Sequence, residues 1–436
     1  MKNLFLSAVG FLLLQPAVAL AIVSDSREVV DYKTAYKQWH RNPSIDDYIE
    51  IYGIGTGDEP QYEYGMIDRN GNLVVDYKYD LIGNMSEGLA MFRKDGKYGF
   101  INSSGQEVIP AKYDFVTDFS NGVSRVTKGE KFGVIDKEGN EIVPVEYIFI
   151  KDNSPAGVFL LMNDNLEGIV NLENNQIITV EFDNVGNFMD GIAPVARDGK
   201  WGYINTEGQV VIPFQYDWAG DFNGDLACVE LNGKYCYIDR NGNVVLDRDF
   251  DMIEPFYNGV AIVTREDRKY MTDRNGNETG PYDYTWIKPM NGGLYKVTDD
   301  NDLNGILNCR GEMILDCKYR WIGNLSEGLI WVSPEYGNCF FTHSEVNFVI
   351  EGPFSVTSDF NEERAAVKND EWGVIDTDGN LIVPYYYDSI SDFKDGLAKV
   401  RKDGKAGFID RDGNEVIRCI LDNASHFSEG FAPVYR

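Results

Sequence analysis

The chain has 436 residues and a formal net charge of −30, which results from 70 acidic and 40 basic side chains. A surface this acidic repels phosphate backbones and anionic lipids, so nucleic acids and membrane surfaces are unsuitable partners. Hydrophobic residues make up 43% of the chain and aromatic residues 13%, which is too much apolar material for a disordered chain and indicates a globular β protein.

The first 21 residues have the pattern of a secretory signal peptide. Lys2 forms the positive region, an apolar stretch runs from Leu4 to Leu14, and Ala19-Leu20-Ala21 matches a small-x-small cleavage site. A membrane anchor is the alternative, but the apolar stretch is shorter than the roughly 20 residues that span a bilayer. We therefore expect export to the periplasm, the cell surface or the medium, without insertion into the membrane.

An aromatic-glycine motif then recurs about every 34 residues, which is the signature of a repeat array. Well-preserved copies are Lys97-Tyr98-Gly99-Phe100-Ile101-Asn102, Lys131-Phe132-Gly133-Val134-Ile135-Asp136, Lys200-Trp201-Gly202-Tyr203-Ile204-Asn205 and Lys405-Ala406-Gly407-Phe408-Ile409-Asp410. The glycine position of the eleven copies is held by Gly65, Gly99, Gly133, Gly168, Gly202, Cys236, Tyr270, Gly305, Cys339, Gly373 and Gly407. Copies six to nine are degenerate, which indicates either decay or a surface specialised for a partner.

The motifs resemble those of the WG-repeat family of bacterial proteins over roughly residues 60 to 436. Besides the aromatic-glycine pair, the resemblance rests on Val-Ile-Pro, Tyr-Asp and Phe-Ser/Asn-x-Gly motifs, for example Val211-Ile212-Pro213, Tyr216-Asp217 and Phe427-Ser428-Glu429-Gly430. This resemblance implies architecture more than function, because the family has no single activity. The predicted organisation is a signal peptide over 1–21, an N-terminal segment or cap over 22–60, and the repeat array over 61–436.

Each repeat is predicted to be a short antiparallel β-meander, and the array to be all-β. Residues 397–402 and 405–409 form two strands joined by the two-residue turn Asp403-Gly404, and a third strand follows a longer turn. One face of the meander is small and apolar and is expected to be buried, whereas the other face carries the motif aromatics. The segment from Asp31 to His40 is the exception, since it reads as a weak amphipathic helix.

Two layouts of the repeats are compatible with the sequence. A single meander cannot bury its apolar face alone, so neighbouring repeats must stack on one another. We expect an open, curved or superhelical array, because eleven units exceed the four to eight blades usual in propellers. Closure into a propeller-like ring is the alternative.

The sequence contains no recognisable catalytic or cofactor motif. The three histidines, His40, His343 and His426, are far apart in the sequence, and no zinc, triad or phosphate-loop pattern is present. We therefore predict no catalytic, cofactor-binding or metal-binding residues. Stretches such as 376–380 and 410–414 resemble the start of a calcium loop, but they lack the later ligands and are predicted to be turns.

The six cysteines are expected to be mostly unpaired. Cys228 and Cys236 flank the Asn232-Gly233 turn in a register that points their thiols to opposite faces of the hairpin. Cys317 and Cys419 hold the same repeat position, so pairing between repeats remains open.

The aromatic residues on the second face are the candidate ligand-binding residues. Flat rings at a regular spacing could stack on sugars or hold an extended polypeptide, and the candidates are Trp201, Tyr203, Tyr235 and Tyr237. The alternative is packing between repeats. We expect packing for Trp201 and partial exposure for Tyr235 and Tyr237, which adjoin the degenerate repeats.

The sequence therefore predicts an exported, non-enzymatic protein that presents a binding or scaffolding surface. Its partner is expected to be a protein or glycan of the cell envelope or exterior, and no cofactor is expected. The alternative is an enzyme that acts on cell walls or glycans through paired carboxylates. The identity of the ligand and the oligomeric state do not follow from the sequence.

Overall fold

The structure is a computed structural model that describes residues 62–152, 158–163, 166–171, 176–180, 182–334, 339–343 and 349–436. The predicted signal peptide, the predicted N-terminal segment and its helix from Asp31 to His40 lie outside the described residues. In the described part of the chain, no helix is long and apolar enough to cross a bilayer.

The described chain forms eleven four-stranded antiparallel sheets, here called blades 1 to 11, whose strands are lettered a to d in their order across the sheet. Blades 1 to 4 comprise Leu81–Ser86, Leu89–Lys94, Lys97–Asn102 and Glu107–Tyr113 (blade 1); Phe115–Val116, Val123–Lys128, Lys131–Asp136 and Glu141–Tyr147 (blade 2); Phe149–Asp152, Val158–Asn163, Leu166–Asn171 and Gln176–Val180 (blade 3); and Asn184–Val185, Ile192–Arg197, Lys200–Asn205 and Val210–Tyr216 (blade 4).

The degenerate copies six to nine supply strand c of blades 5 to 8, which have the same strand order. Blades 5 to 8 comprise Trp218–Asn223, Leu226–Leu231, Lys234–Ile238 and Val244–Asp247 (blade 5); Met252–Ile253, Val260–Arg265, Arg268–Asp273 and Glu278–Tyr282 (blade 6); Trp286–Met290, Leu294–Thr298, Asn304–Asn308 and Met313–Tyr319 (blade 7); and Trp321–Ile322, Leu329–Ser333, Cys339–His343 and Val349–Phe354 (blade 8). The 3-10 turn Asn291–Gly293 joins strands a and b of blade 7.

The last three blades bring the two ends of the described chain together. Blades 9 to 11 comprise Val356–Thr357, Arg364–Lys368, Trp372–Asp376 and Leu381–Tyr387 (blade 9); Ser389–Ile390, Leu397–Lys402, Lys405–Asp410 and Glu415–Leu421 (blade 10); and Asn423–Ala424, Phe431–Tyr435, Tyr64–Asp68 and Leu73–Tyr79 (blade 11). Each of the eleven predicted glycine positions lies on strand c of a blade. The prediction for blade 8 is wrong by one residue, because Phe340 pairs with Val332 as Gly202 pairs with Val195, so Cys339 holds the preceding aromatic position.

The predicted meander is confirmed as strands b, c and d of each blade. In blade 10, Ala398 pairs with Ile409 and Val400 with Gly407, as the sequence indicated. Asp403 and Gly404 have φ values of 51° and 76°, which is the conformation of a two-residue hairpin turn between twisted strands. The sequence did not show strand a, which is formed by residues between one predicted meander and the next.

In most blades the motif glycine lies opposite a bulge in strand d, although Tyr270 and Phe340 hold this position in blades 6 and 8. In blade 4, Trp201 pairs with Tyr216 and Tyr203 with Ile212, so residues 213–215 bulge opposite the single residue Gly202. A Cβ atom on Gly202 would lie 2.6 Å from the Ile212 carbonyl oxygen and 3.0 Å from the Phe214 nitrogen. Pro213 is tolerated because bulges do not need its missing N–H group. The bulge therefore explains why the aromatic-glycine and Val-Ile-Pro motifs occur together.

The blades form a closed ring, the alternative of the two layouts that the sequence allowed, and not the open array that we expected. Strand Tyr64–Asp68 pairs along its whole length with Phe431–Tyr435, so one sheet contains both ends of the described chain. Blade 11 also contacts blade 1, since the Glu429 carboxylate accepts hydrogen bonds of 2.8 Å from the N–H groups of Glu87 and Gly88.

The hydrophobic core lies between blades, and both faces of each blade contribute to it. On one side of blade 11, Ile67 and Val434 pack with Phe408 of blade 10. On its other side, Met66 and Val75 pack with blade 1. The expectation that the apolar face alone would be buried is therefore wrong, because every blade in a ring has a neighbour on each side.

Candidate functional site

The predicted aromatic candidates lie on strand c of blades 4 and 5, and three of the four are buried. The exposed fraction is 7% for Trp201 and 0% for Tyr203 and Tyr237, whereas Tyr235 is half-buried. Packing of Trp201 and partial exposure of Tyr235 thus agree with expectation. The expected exposure of Tyr237 is wrong.

Tyr203 and Tyr237 are buried because each side chain reaches the first segment of the next blade, on strand a or directly after it. The Tyr203 hydroxyl donates to the Gly220 carbonyl at 2.9 Å, and the Tyr237 hydroxyl donates to the Glu254 carbonyl at 2.7 Å. Their rings also contact the phenylalanine just before the a–b turn of the next blade, with centroids 4.9 Å apart for Tyr203 and Phe222. The same contact recurs between Phe408 and Phe427 at 4.7 Å. These rings therefore join neighbouring blades. The aromatic-glycine motif and the phenylalanine motif were both visible in the sequence, but the sequence did not show that their rings are in contact.

The turns that resemble calcium loops are closed by their own aspartates. In the 410–414 turn, one oxygen of Asp410 accepts the N–H groups of Asp412 and Asn414, and the other accepts the Asn414 amide at 2.9 Å. Their predicted assignment as turns is confirmed, because the carboxylate is occupied by the turn. Among the described residues, no group of three or more His, Cys, Asp or Glu side chains is placed to hold a metal ion.

All six cysteines are free, as we expected. Cys228 pairs across the hairpin with Tyr237, and Val229 pairs with Cys236, which is the predicted register. Cys317 and Cys419 lie in blades 7 and 10, which are not neighbours, so they do not pair across repeats.

A cleft of about 460 Å³ lies between blades 6 and 7. Blade 6 departs from the repeat at the aromatic position of the motif. Lys269 pairs there with Thr264, whereas the equivalent pair in blade 2 is Phe132 with Thr127. A lysine therefore replaces the motif aromatic, whose ring packs on the next blade elsewhere, as Phe132 does on Phe149.

The connection between the two blades is also longer than usual. Asp283, Tyr284 and Thr285 join strand d of blade 6 to strand a of blade 7, whereas the single residue Asp114 makes this connection between blades 1 and 2. The Lys269 ammonium donates to the carbonyl oxygens of Tyr284 at 3.1 Å and Thr285 at 2.9 Å, which fixes the longer connection above the lysine. Loss of the ring and the added residues together create the cleft.

The walls of the cleft carry carboxylates, a hydroxyl and two tyrosine rings. Asp267 and Asp300 project from the b–c turns of blades 6 and 7, and both are exposed, as are Asp283 and Thr285. The rings of Tyr282 and Tyr284 are stacked, with centroids 5.9 Å apart and planes inclined by 20°. The three aspartates form no ion pair with the described residues. One Asp300 oxygen accepts a hydrogen bond of 3.4 Å from the Thr285 hydroxyl, and the carboxylates otherwise face the opening.

Burial by the surrounding protein lowers the pKa of Lys269, and it raises the pKa of Tyr284. The Glu254 carboxylate opposes the shift at Lys269 by favouring the charged ammonium. Two hydrogen bonds to carbonyl oxygens also favour the ammonium form. The cleft therefore presents a fixed cationic donor below a set of anionic acceptors.

Sequence reasoning did not identify this cleft. The available signals were the order Lys269-Tyr270 in place of aromatic-glycine, and the one-residue insertion before Gly305. Both lie in the degenerate repeats, but the pattern alone did not distinguish decay from specialisation.

Three solved structures that resemble this chain do so only distantly. A crystal structure of the eukaryotic initiation factor has a TM-score of 0.37 and 11% identity over 67% of this chain and 97% of that chain. BamB from Moraxella catarrhalis has a TM-score of 0.25 and 12% identity over 66% of this chain and 98% of its own. The extracellular domain of the putative hybrid two component system BT3049 from B. thetaiotaomicron has a TM-score of 0.22 and 11% identity over 83% of this chain and 63% of its own. None of these similarities is close enough to assign a function.

No curated protein matches the chain. A family model described as the WG containing repeat matches it at residues 64–98, 98–132, 168–201, 201–235, 237–270, 305–333, 372–405 and 407–435. These matches cover more than half of the 436 residues and follow the strand c positions from which the repeat was first recognised. The chain therefore belongs to the WG-repeat family.

Proposed function

We propose that this chain is an exported, non-enzymatic binding protein that holds a protein or glycan of the cell envelope or exterior in the cleft between blades 6 and 7. The observation that carries the proposal is the replacement of an inter-blade aromatic by Lys269 together with the longer connection at residues 283–285. At this interface the repeat forms a polar cleft of about 460 Å³, a volume within the usual range of ligand sites.

The test is a pull-down in which the purified mature protein is mixed with a native envelope fraction and the bound partner is identified. We expect the wild type and a Tyr386→Ala control, which removes an exposed ring of blade 9, to retain the same partner. A Tyr284→Ala variant is expected to lose it. Equal retention by all three proteins would contradict a role for the cleft.

The competing function is hydrolysis of glycans by paired carboxylates, and the aspartates of the cleft make it a specific alternative. A screen of the wild type against cell-wall and polysaccharide substrates separates the two. Reproducible turnover that is lost in Asp283→Asn would refute the non-enzymatic proposal.

Export is tested by expressing the full chain and measuring the mass of the protein outside the cytoplasm. Cleavage after Ala21 predicts a product that begins at Ile22. Recovery of the uncleaved chain from the cytoplasm alone would contradict export.

A further inference from the structure

We propose that the ligand of the cleft is a neutral, hydroxyl-rich saccharide. This inference rests on the proposed function, because it names the class of ligand that the same cleft binds.

The charges in the cleft disfavour an anionic ligand and offer a neutral ligand partners of both signs. Asp267, Asp283 and Asp300 lie on three separate segments around the opening, and none is neutralised by an ion pair with a described residue. An anionic ligand would have to approach these carboxylates on a chain whose net charge is already −30. A cationic ligand can pair with these carboxylates but gives no acceptor to the Lys269 ammonium, which the carbonyls of Tyr284 and Thr285 hold in place.

Hydroxyl groups can use both kinds of charged group at once. A sugar hydroxyl donates one hydrogen bond and accepts others, so it can donate to an aspartate and accept from an ammonium or a hydroxyl. Hydrogen bonds to ionised groups are the stronger ones, which compensates for the loss of water from the sugar. Lys269 has a third N–H in addition to the two that it donates to the connection. The Thr285 hydroxyl, which donates within the cleft wall to Asp299 or Asp300, retains lone pairs that accept a hydrogen bond.

The two tyrosines provide the apolar contact that a sugar ring also needs. Tyr282 and Tyr284 are half-buried and stacked, so their rings are fixed and retain exposed surface toward the opening. The Tyr282 hydroxyl is held by Thr279 at 2.9 Å, which limits rotation of this side chain. An amphipathic ring with little conformational freedom is suited to packing against the C–H face of a sugar.

Isothermal titration with oligosaccharides of matched length and different charge tests the proposal. The probes are cellohexaose, maltohexaose and chitohexaose as neutral chains, oligogalacturonate as the anionic chain, and oligoglucosamine as the cationic chain. We expect at least one neutral probe to bind and both charged probes to bind at least about tenfold more weakly, a difference of about 1.4 kcal/mol.

Variants show whether the binding takes place in the cleft. Tyr284→Ala and Asp283→Asn are expected to weaken the neutral probe by about tenfold or more, because they remove the ring contact and one charged acceptor. The matched controls are Tyr386→Ala and Asp412→Asn, an exposed tyrosine and an exposed aspartate in other blades, which are expected to leave affinity unchanged. Asp283 is exposed, so Asp283→Asn tests the cleft even if Tyr284→Ala unfolds the protein, which a thermal melt reports.

The proposal is overturned if no neutral probe binds, if a charged probe binds most tightly, or if the cleft variants bind as well as the controls. Failure of the proposed function gives a different result. If Tyr284→Ala still loses an envelope protein while no saccharide binds, the cleft is a binding site and only its ligand class is wrong. If Tyr284→Ala changes neither the retention of the envelope partner nor the binding of a saccharide, the proposed function and the proposed ligand class are both wrong.

Discussion

The Gly202→Ala substitution is the sharpest test of how this repeat is built. The added Cβ would lie 2.6 Å from the Ile212 carbonyl oxygen and 3.0 Å from the backbone atoms of Pro213 and Phe214. These are main-chain atoms of the strand d bulge, so they cannot rotate away as a side chain could. Overpacking typically costs about 1–3 kcal/mol, and we expect a free energy of unfolding lowered by an amount near the upper end of that range.

The adjacent blade supplies a matched control in the same repeat position. Strand d of blade 3 has no bulge, since Gly168 pairs with Thr179 and Ile169 with Ile178. A Cβ on Gly168 would meet the Leu161 Cβ at 3.4 Å and the Ile178 carbonyl oxygen at 3.5 Å, which are ordinary contacts. Gly168→Ala is therefore expected to be neutral or to stabilise by up to about 1 kcal/mol, because alanine restricts the unfolded chain.

Both variants are compared with the wild type by urea denaturation, followed by tryptophan fluorescence and far-ultraviolet circular dichroism. The expected result is a lower midpoint for Gly202→Ala and an unchanged or slightly higher midpoint for Gly168→Ala. Equal midpoints for the two variants would refute the reasoning that the bulge requires glycine.

Three further predictions concern packing, pH and closure. Trp201→Ala removes a buried inter-blade ring and should lower the free energy of unfolding by about 3–5 kcal/mol. Tyr235→Ala removes a half-buried ring and should lower it by less than half as much. Similar losses of stability in thermal melts of the two variants would contradict this difference. Burial raises the pKa of Glu254 from 4.5 to about 7, so the folded state binds its proton more tightly and this residue lowers stability as the pH rises from 4.5 to 7. Glu254→Gln should therefore have the stability of the wild type below pH 4.5 and be more stable above pH 7. The expected gain is about 1 kcal/mol, because solvent reaches part of the side chain and weakens the effect. Denaturation curves at several pH values test this, and a difference that does not change with pH would contradict it. Removal of residues 423–436 leaves strand Tyr64–Asp68 without its partner, so we expect the ring to open. Small-angle scattering should then give a larger maximum dimension than that of the intact chain. An unchanged dimension would show that this strand pairing does not close the ring.

The sequence by itself determined the local features of the fold. The period of about 34 residues located strand c in every blade, and two-residue turns such as Asp403-Gly404 set the register of strands b and c. These features were predictable because they depend on residues a few positions apart, through the backbone conformations that each turn and strand allows. The glycine position was also recognised, although its cause, the strand d bulge, became clear only from the pairing.

The tertiary structure alone decided how the repeats are placed relative to one another. Ring closure depends on the angle between successive blades and on the pairing of Tyr64–Asp68 with Phe431–Tyr435, which lie at opposite ends of the array. No pattern within a single repeat specifies that angle, because it results from side chains of two blades packing together. The burial of Tyr237 and the cleft at Lys269 follow in the same way, since each is formed by one blade meeting the next.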